Sequence, residues 1–286
     1  MDPFVVDEKF VAKVITPRKK ESHKRDNGTV CVLGGSWLYH GAPFLCAQGA
    51  LRSGVDLVYI AVPAPIATPI RALSPDFIVV PLPDGKITRG SINKLLGWVK
   101  GVDVFAVGPG LGPQKPESVA HTLNELKQEG RGLVVDADAL RPQVVPSIKG
   151  TRCVVTPHSG EFERLFGTKP PSALGDRTEA VIEEARKAGV TVLLKGPVDV
   201  ISDGEKACHN LTHSPAMTVG GTGDVLTGVT AGLMARGVAP FEAACAAAYV
   251  NGAAGELAAK VNGLHITASD VANEIANAMK RFDRLE

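Results

Sequence analysis

Almost no net charge is left over in this chain. Its 31 Lys and Arg stand against 30 Asp and Glu, a formal +1 at pH 7, so no overall basic field argues for nucleic acid as a partner. Cysteine is scarce. Cys31, Cys46, Cys153, Cys208 and Cys245 form no C-x-x-C pair and no zinc-finger spacing. Most lie in apolar runs, which predicts buried thiols and a reducing, cytoplasmic compartment. No uncharged apolar run reaches membrane-spanning length, so no membrane association is expected. Asp2, Asp7 and Glu8 interrupt the first apolar residues and speak against a secretory leader. Repeats and low-complexity tracts are absent. Two nucleotide-binding signatures are missing as well. No Walker A loop occurs, and Gly108-Pro109-Gly110-Leu111-Gly112 is spaced G-x-G-x-G, which is not the Rossmann fingerprint.

What the chain does have is a steady alternation of strand-like and helix-like runs. The 286 residues suffice for one large core, and a single α/β domain over 1–286 is expected, with 1–21 as an N-terminal extension. Short helices are predicted over 4–14 and 66–73, and longer ones over 41–53, 91–100, 116–128, 176–188, 225–235, 241–260 and from 269 to about 281. Between them lie strands at 29–33, 57–62, 77–82, 102–107, 133–136, 153–156 and 190–194. A hairpin turns on Asp203-Gly204. This order predicts a mostly parallel sheet covered by helices on both faces. The basic segment Pro17 to Gly28 reads either as a solvated loop or as a rim for a polyanion.

The short polar motifs all follow strands, so they should line one edge of that sheet. Chief among them is Gly220-Gly221-Thr222-Gly223-Asp224-Val225-Leu226-Thr227-Gly228. A glycine turn opening a helix presents unpaired amides and the positive end of the helix dipole, which suits a phosphate. Asp224 in the first helical turn would repel that phosphate unless it orients a hydroxyl or holds a metal. At a helix start its pKa is expected to be low. Asp136 and Asp138 read either as orderers of water around Mg²⁺ or as cap and turn formers. Glu161 reads as a first-turn acid and His158 as a structural residue after a strand. Lys195, at a strand end beside Gly196 and Pro197, is a phosphate contact or a snorkelling lysine. An anion-binding helix start with a nearby acid, further carboxylates and a lysine suits phosphoryl transfer, which needs positioning and charge neutralisation.

These residues resemble a known family. Residues 220–228 look like the anion-hole and catalytic motif of the ribokinase-like superfamily, and Thr156-Pro157-His158-Ser159-Gly160-Glu161-Phe162 resembles its T-P-N-x-x-E, with His158 in place of Asn. Together with 108–112, Asp136-Ala137-Asp138-Ala139-Leu140 and Gly41-Ala42-Pro43…Ala50-Leu51-Arg52-Ser53-Gly54, the set is similar to the NAD(P)H-hydrate dehydratases from about Ser22 onward. The resemblance implies a ribokinase-like fold and a repair reaction. A nucleotide's terminal phosphate activates the ring hydroxyl of the S epimer of hydrated NADH or NADPH, and elimination restores the double bond and releases phosphate. It implies that Asp224 aligns the hydroxyl while the amides of Gly221, Thr222 and Gly223 hold the phosphoryl group. Ala42, Gly110, His158 and Asp224 would contact the hydrated dinucleotide. Lys195, Gly196, Pro197, Val198, Asp199 and Gly223 would line the ADP or ATP site, and Glu161 with Asp136 or Asp138 would place Mg²⁺. ADP is the expected donor. A homo-oligomer, often a tetramer in this family, is expected too. The epimerase domain often fused in front is not seen, so any epimerase is expected to be a separate protein, or absent. Asp56, in Gly54-Val55-Asp56-Leu57-Val58, departs from the G-A-G-L-V of many relatives and bears on packing. The rival readings are a small-molecule kinase of the same superfamily and a silent nucleotide-binding regulator.

Overall fold

A computed structural model of the chain describes residues 3–83 and 87–286. Among these, ten strands build one sheet: β1 (Phe4–Val5), β2 (Thr29–Leu33), β3 (Leu57–Pro63), β4 (Ile78–Leu82), β5 (Val104–Val107), β6 (Gly132–Val135), β7 (Cys153–Val155), β8 (Thr191–Leu194), β9 (Asp199–Ser202) and β10 (Ala207–Asn210). Across the sheet they run β1-β10-β9-β8-β7-β6-β5-β2-β3-β4. Every neighbour pair from β4 to β8 is parallel. The expected hairpin supplies β9 and β10, each antiparallel to its predecessor. The helices are α1 (Glu8–Val14), α2 (Gly41–Arg52), α3 (Ala64–Leu73), α4 (Arg89–Trp98), α5 (Pro116–Leu126), α6 (Val145–Ile148), α7 (Ser159–Phe166), α8 (Leu174–Ala188), α9 (Thr222–Ala235), α10 (Pro240–Asn262) and α11 (Ala268–Met279).

Successive strand residues point to opposite faces, and both faces are apolar because both are covered. Val30, Val32, Val104, Ala106 and Val134 meet α1–α3 and α9–α11. Cys31, Leu33, Phe105, Val107 and Val135 meet α4–α8.

The contact that matters most for function is that of α2 with α9. A Cβ on Gly228 would lie 1.9 Å from the Cys46 carbonyl oxygen, and one on Gly49 would lie 2.4 Å from that of Val225. Only bare backbone permits this approach. Leu45 meets Gly221, Gly49 meets Val225 and Ser53 meets Gly232, so the two helices run in parallel. Their amino ends therefore open at the same edge of the sheet, beyond the carboxyl ends of the parallel strands.

Two expectations change at the amino end. The first helix begins only at Glu8, because Asp7 is extended and its side chain accepts the Phe10 N–H at 2.8 Å. Phe4 and Val5 instead add a strand parallel to β10, and Val11 of α1 joins the core. The basic segment leads directly into β2, at the amino edge of the sheet, away from the motifs. Asp56 holds it there: its carboxylate accepts the N–H groups of Arg25 and Asn27 at 3.0 Å and pairs with Arg18 at 3.1 Å. The residue that departs from the family pattern thus anchors a surface loop.

Candidate active site

Five parallel strands deliver the motif residues to one edge. β2 leads into Gly34, β5 into Gly108, β6 into Asp136, β7 into Thr156 and β8 into Lys195. Facing them is the start of α9. Gly221 has φ +100°, a left-handed turn in which a side chain would be strained and would meet Leu45 and Ala268. No side chain caps the helix, so its first amides are left open to a ligand. The Thr222 hydroxyl donates to Met217 O at 2.9 Å, which leaves its backbone N–H as its offer to an anion.

A buried polar chain lies beneath these amides. Asp136, 1 % exposed, accepts from Lys195 Nζ at 2.9 Å and from the Thr227 hydroxyl at 2.7 Å. Thr156 Oγ1 lies 3.3 Å from Thr227 Oγ1. Lys195 is also 3.6 Å from Glu161, and a Cβ on Gly223 would lie 3.3 Å from its ammonium. Burial works to discharge Lys195, but Asp136, Glu161 and Asp224 outweigh it and hold its pKa above the ordinary value. Around this one cation stand Asp136, Glu161 and Asp224, with Asp138 also close enough to act on Asp224.

Asp224 overturns an expectation. Its pKa is not low but raised, to about 7. Burial is the largest cause, and the negative charge of Asp136 is the next. Glu161 and Asp138 add to it, while Lys195 opposes. The helix dipole is a weak effect beside desolvation and three like charges. A carboxylate raised in this way can accept a proton near neutral pH.

His158 caps α7. Its Nδ1 accepts the N–H groups of Gly160 and Glu161 at 3.1 and 3.3 Å, and Glu161 returns a carboxylate oxygen to the His158 N–H at 2.9 Å. A ring nitrogen thus does the capping, while Nε2 lies 3.5 Å from Glu161 Oε1 on a ring that is 60 % exposed. Asp138 accepts the Gly112 N–H at 2.9 Å, so it braces the 108–112 turn. A Cβ on Gly110 would lie 2.9 Å from Ala42 Cβ, which brings those two together at the start of α2.

A cavity of about 560 Å³ opens beside the start of α9, a size suited to one nucleotide. His158, Lys195, Gly196, Pro197, Asp199 and Gly223 line it, but Val198 does not. Neither Ala42, Gly110 nor Asp224 is in its wall. The named residues thus fall on two sides of the α9 amino end. Of the three carboxylates named for a metal, Asp136 and Glu161 converge on Lys195 while Asp138 turns to Gly112. Sequence reasoning missed Thr156 and Thr227, which tie Asp136 to α9, and Asn251, which lines the cavity from α10. An Asn inside an alanine-rich apolar run was the available signal.

Comparison with known proteins gives the chain a family. The sequence model of the NAD(P)H-hydrate dehydratase family matches residues 30–277. An ADP-dependent (S)-NAD(P)H-hydrate dehydratase of Cenarchaeum symbiosum is 47 % identical over 99 % of both chains. A bifunctional NAD(P)H-hydrate repair enzyme of Pyrobaculum aerophilum is 45 % identical over 93 % of this chain, which spans 53 % of that longer protein. The crystal structure of an ADP/ATP-dependent NAD(P)H-hydrate dehydratase from Bacillus subtilis, co-crystallised with ATP and Mg²⁺, superposes with a TM-score of 0.85 at 28 % identity, covering 99 % of this chain and 100 % of that one. The ribokinase-like α/β arrangement expected from the motifs stands.

Proposed function

The chain belongs to the NAD(P)H-hydrate dehydratase family, and on that premise we propose that it dehydrates the S epimer of hydrated NADH or NADPH at the expense of ADP. The observation that carries this reading is the pairing of open helix amides at 222–223 with an acid, Asp224, whose pKa is about 7. ADP enters the cavity between Lys195–Asp199 and α10, and its terminal phosphate meets the α9 amides and Lys195. The hydrated nicotinamide approaches from the Ala42 and Gly110 side. Asp224 accepts the proton of the ring hydroxyl as that oxygen attacks the terminal phosphorus. The bond from phosphorus to the bridging oxygen breaks, and AMP leaves. The phosphorylated ring then loses phosphate and a proton, which restores the double bond of NAD(P)H. The amides and Lys195 stabilise the phosphoryl charge without having to reorganise.

Mg²⁺ suits the residues present. Asp136, Glu161 and Asp224 gather around a single lysine, and among the described residues no cluster of three or more ligands forms a ready protein cage. Mg²⁺ is commonly bound through one or two carboxylates plus substrate phosphates, and Glu161 would be the carboxylate that shares it. When bound, it would neutralise phosphate charge.

Trp37, Leu38, Val261 and Leu264 are 78, 75, 78 and 74 % exposed. Such apolar exposure supports a homo-oligomer, for which we take the tetramer. The five free, buried cysteines support a reducing cytoplasmic setting. An epimerase acting on the hydrated dinucleotide would supply the S epimer.

Incubating the protein with hydrated NADH, Mg²⁺ and either ADP or ATP, and following the return of reduced-nicotinamide absorbance, tests the reading. Absorbance recovers with equimolar phosphate release, faster with ADP. A stable phosphorylated product of a vitamin precursor or sugar, with no recovery of NADH, would establish the kinase alternative instead.

A further inference from the structure

Two of the five cysteines meet in the core. Cys208 comes from β10 and Cys245 from α10, and both are fully buried. Their sulfur atoms lie 2.9 Å apart, inside the ordinary non-bonded separation of two sulfurs. The bond length of a disulfide, about 2.0 Å, is a small step from there. The other thiols stand elsewhere: Cys31 and Cys153 belong to the opposite face of the sheet, and Cys46 packs on α9 from α2. The two partners are 37 positions apart. The segment between them carries the cavity wall around 212–218, the open amides at 222–223 and Asp224. Burial, and next the Cys208 thiol, hold the Cys245 pKa well above its ordinary value, so in the closed fold this thiol stays protonated and unreactive.

We propose that Cys208 and Cys245 are a disulfide-forming pair, and that oxidation ties β10 to α10 and clamps the segment bearing Asp224 between them. The oxidant is a small-molecule disulfide such as oxidised glutathione. It reacts while the chain folds, before burial closes over the sulfurs. One thiol of the pair gives up its proton, and the thiolate attacks a sulfur of the oxidant, whose other half leaves as a thiolate and takes up a proton. The second protein thiol then loses its proton and attacks the protein sulfur of the mixed disulfide, releasing the remaining glutathione in the same way. Two protein thiols and one glutathione disulfide become one protein disulfide and two glutathione thiols. The cross-link stabilises by removing freedom from the unfolded chain, and more so for a longer loop. The folded chain has little to rearrange, because the sulfurs already touch.

The test uses the full chain, unfolded with reductant. It is refolded either in reduced glutathione alone or in a mixture of the oxidised and reduced forms. Free thiols are then blocked with iodoacetamide in denaturant, and the peptides are mapped by mass spectrometry. After oxidative refolding, Cys31, Cys46 and Cys153 are expected to carry the label, while Cys208 and Cys245 appear in one linked peptide pair lighter by two hydrogen atoms. After reductive refolding all five carry the label. The oxidised protein is expected to melt about 5–10 °C above the reduced one. Cys245→Ala takes a residue that α10 already uses on both sides, at Ala244 and Ala246; it should label at every remaining cysteine and melt at one temperature after both treatments. Label or a glutathione adduct on Cys208 and Cys245 of the oxidised wild type, or a link to any other cysteine, overturns the inference and requires no variant to fold. A linked protein that melts no higher than the reduced one overturns the clamp.

Discussion

Replacing Asp224 with Asn should make the protein more stable while removing its turnover. Folding lifts the Asp224 pKa from 3.8 to about 7, first through burial and then through the charges of Asp136, Glu161 and Asp138. A tenfold change in proton affinity corresponds to about 1.4 kcal/mol, so ionised Asp224 destabilises the fold by at most about 4 kcal/mol, and by about 2–3 kcal/mol once water entry and relaxation are allowed for. The sign follows from proton binding. Between pH 4 and 7 the folded state holds a proton that the unfolded state has released, so stability falls as pH rises through that window. The penalty is absent below the unfolded value, full above pH 7, and missing in the Asn variant throughout. At about 2–4 °C per kcal/mol, the variant should melt about 5–10 °C above the wild type at pH 8 and level with it near pH 4. Thermal unfolding by circular dichroism at pH 4, 6 and 8, without nucleotide, measures this. A variant that melts at or below the wild type at pH 8, or a gap that does not change with pH, would refute the reasoning.

Three further outcomes are expected. Gly228→Ala inserts a methyl 1.9 Å from the Cys46 carbonyl oxygen; overpacking of about 1–3 kcal/mol should exceed the helix propensity gain of about 1 kcal/mol and lower Tm, whereas Gly97→Ala, with open space at its Cβ, should hold or raise it. Thr227→Val leaves an Asp136 oxygen without its 2.7 Å donor and should destabilise by about 1–3 kcal/mol, with turnover falling more than ADP affinity; an unchanged denaturant midpoint would speak against the buried chain. Val261→Asp with Leu264→Asp should reduce the particle mass seen by light scattering without lowering Tm, and an unchanged mass would remove that surface from the assembly.

The layered fold was legible because its signals are local. Apolar runs such as Val104–Val107, bounded by glycine turns, fix the strands, and Thr267 and Asp270 announce the last helix with a capping box that the structure contains. The amino end is misread from sequence because Phe4 and Val5 fit a helical stripe and an edge strand equally well, and only the open edge of β10 decides between them. Motif residues could be assigned to the correct sheet edge because most follow a parallel strand, whereas residues 220–228 follow β10 of the hairpin and face that edge from the start of α9. Their mutual geometry could not. The raised pKa of Asp224 depends on its burial and then on Asp136, which lies far away in sequence and is brought near only by the sheet. Thr227 looks like an ordinary helix residue for the same reason: its partner Asp136 lies on another element.

The proposed catalysis turns on Asp224 aiming a hydroxyl at a phosphoryl group held by the α9 amides. The most direct measurement of this is single-turnover formation of AMP, phosphate and NADH from hydrated NADH and ADP with Mg²⁺, in the wild type and in Asp224→Asn, alongside ADP affinity. The variant should form all three products at least about 100-fold more slowly, at the lower end of what a positioned general base contributes, while its ADP affinity stays within about threefold. Wild-type rates in Asp224→Asn would contradict this role.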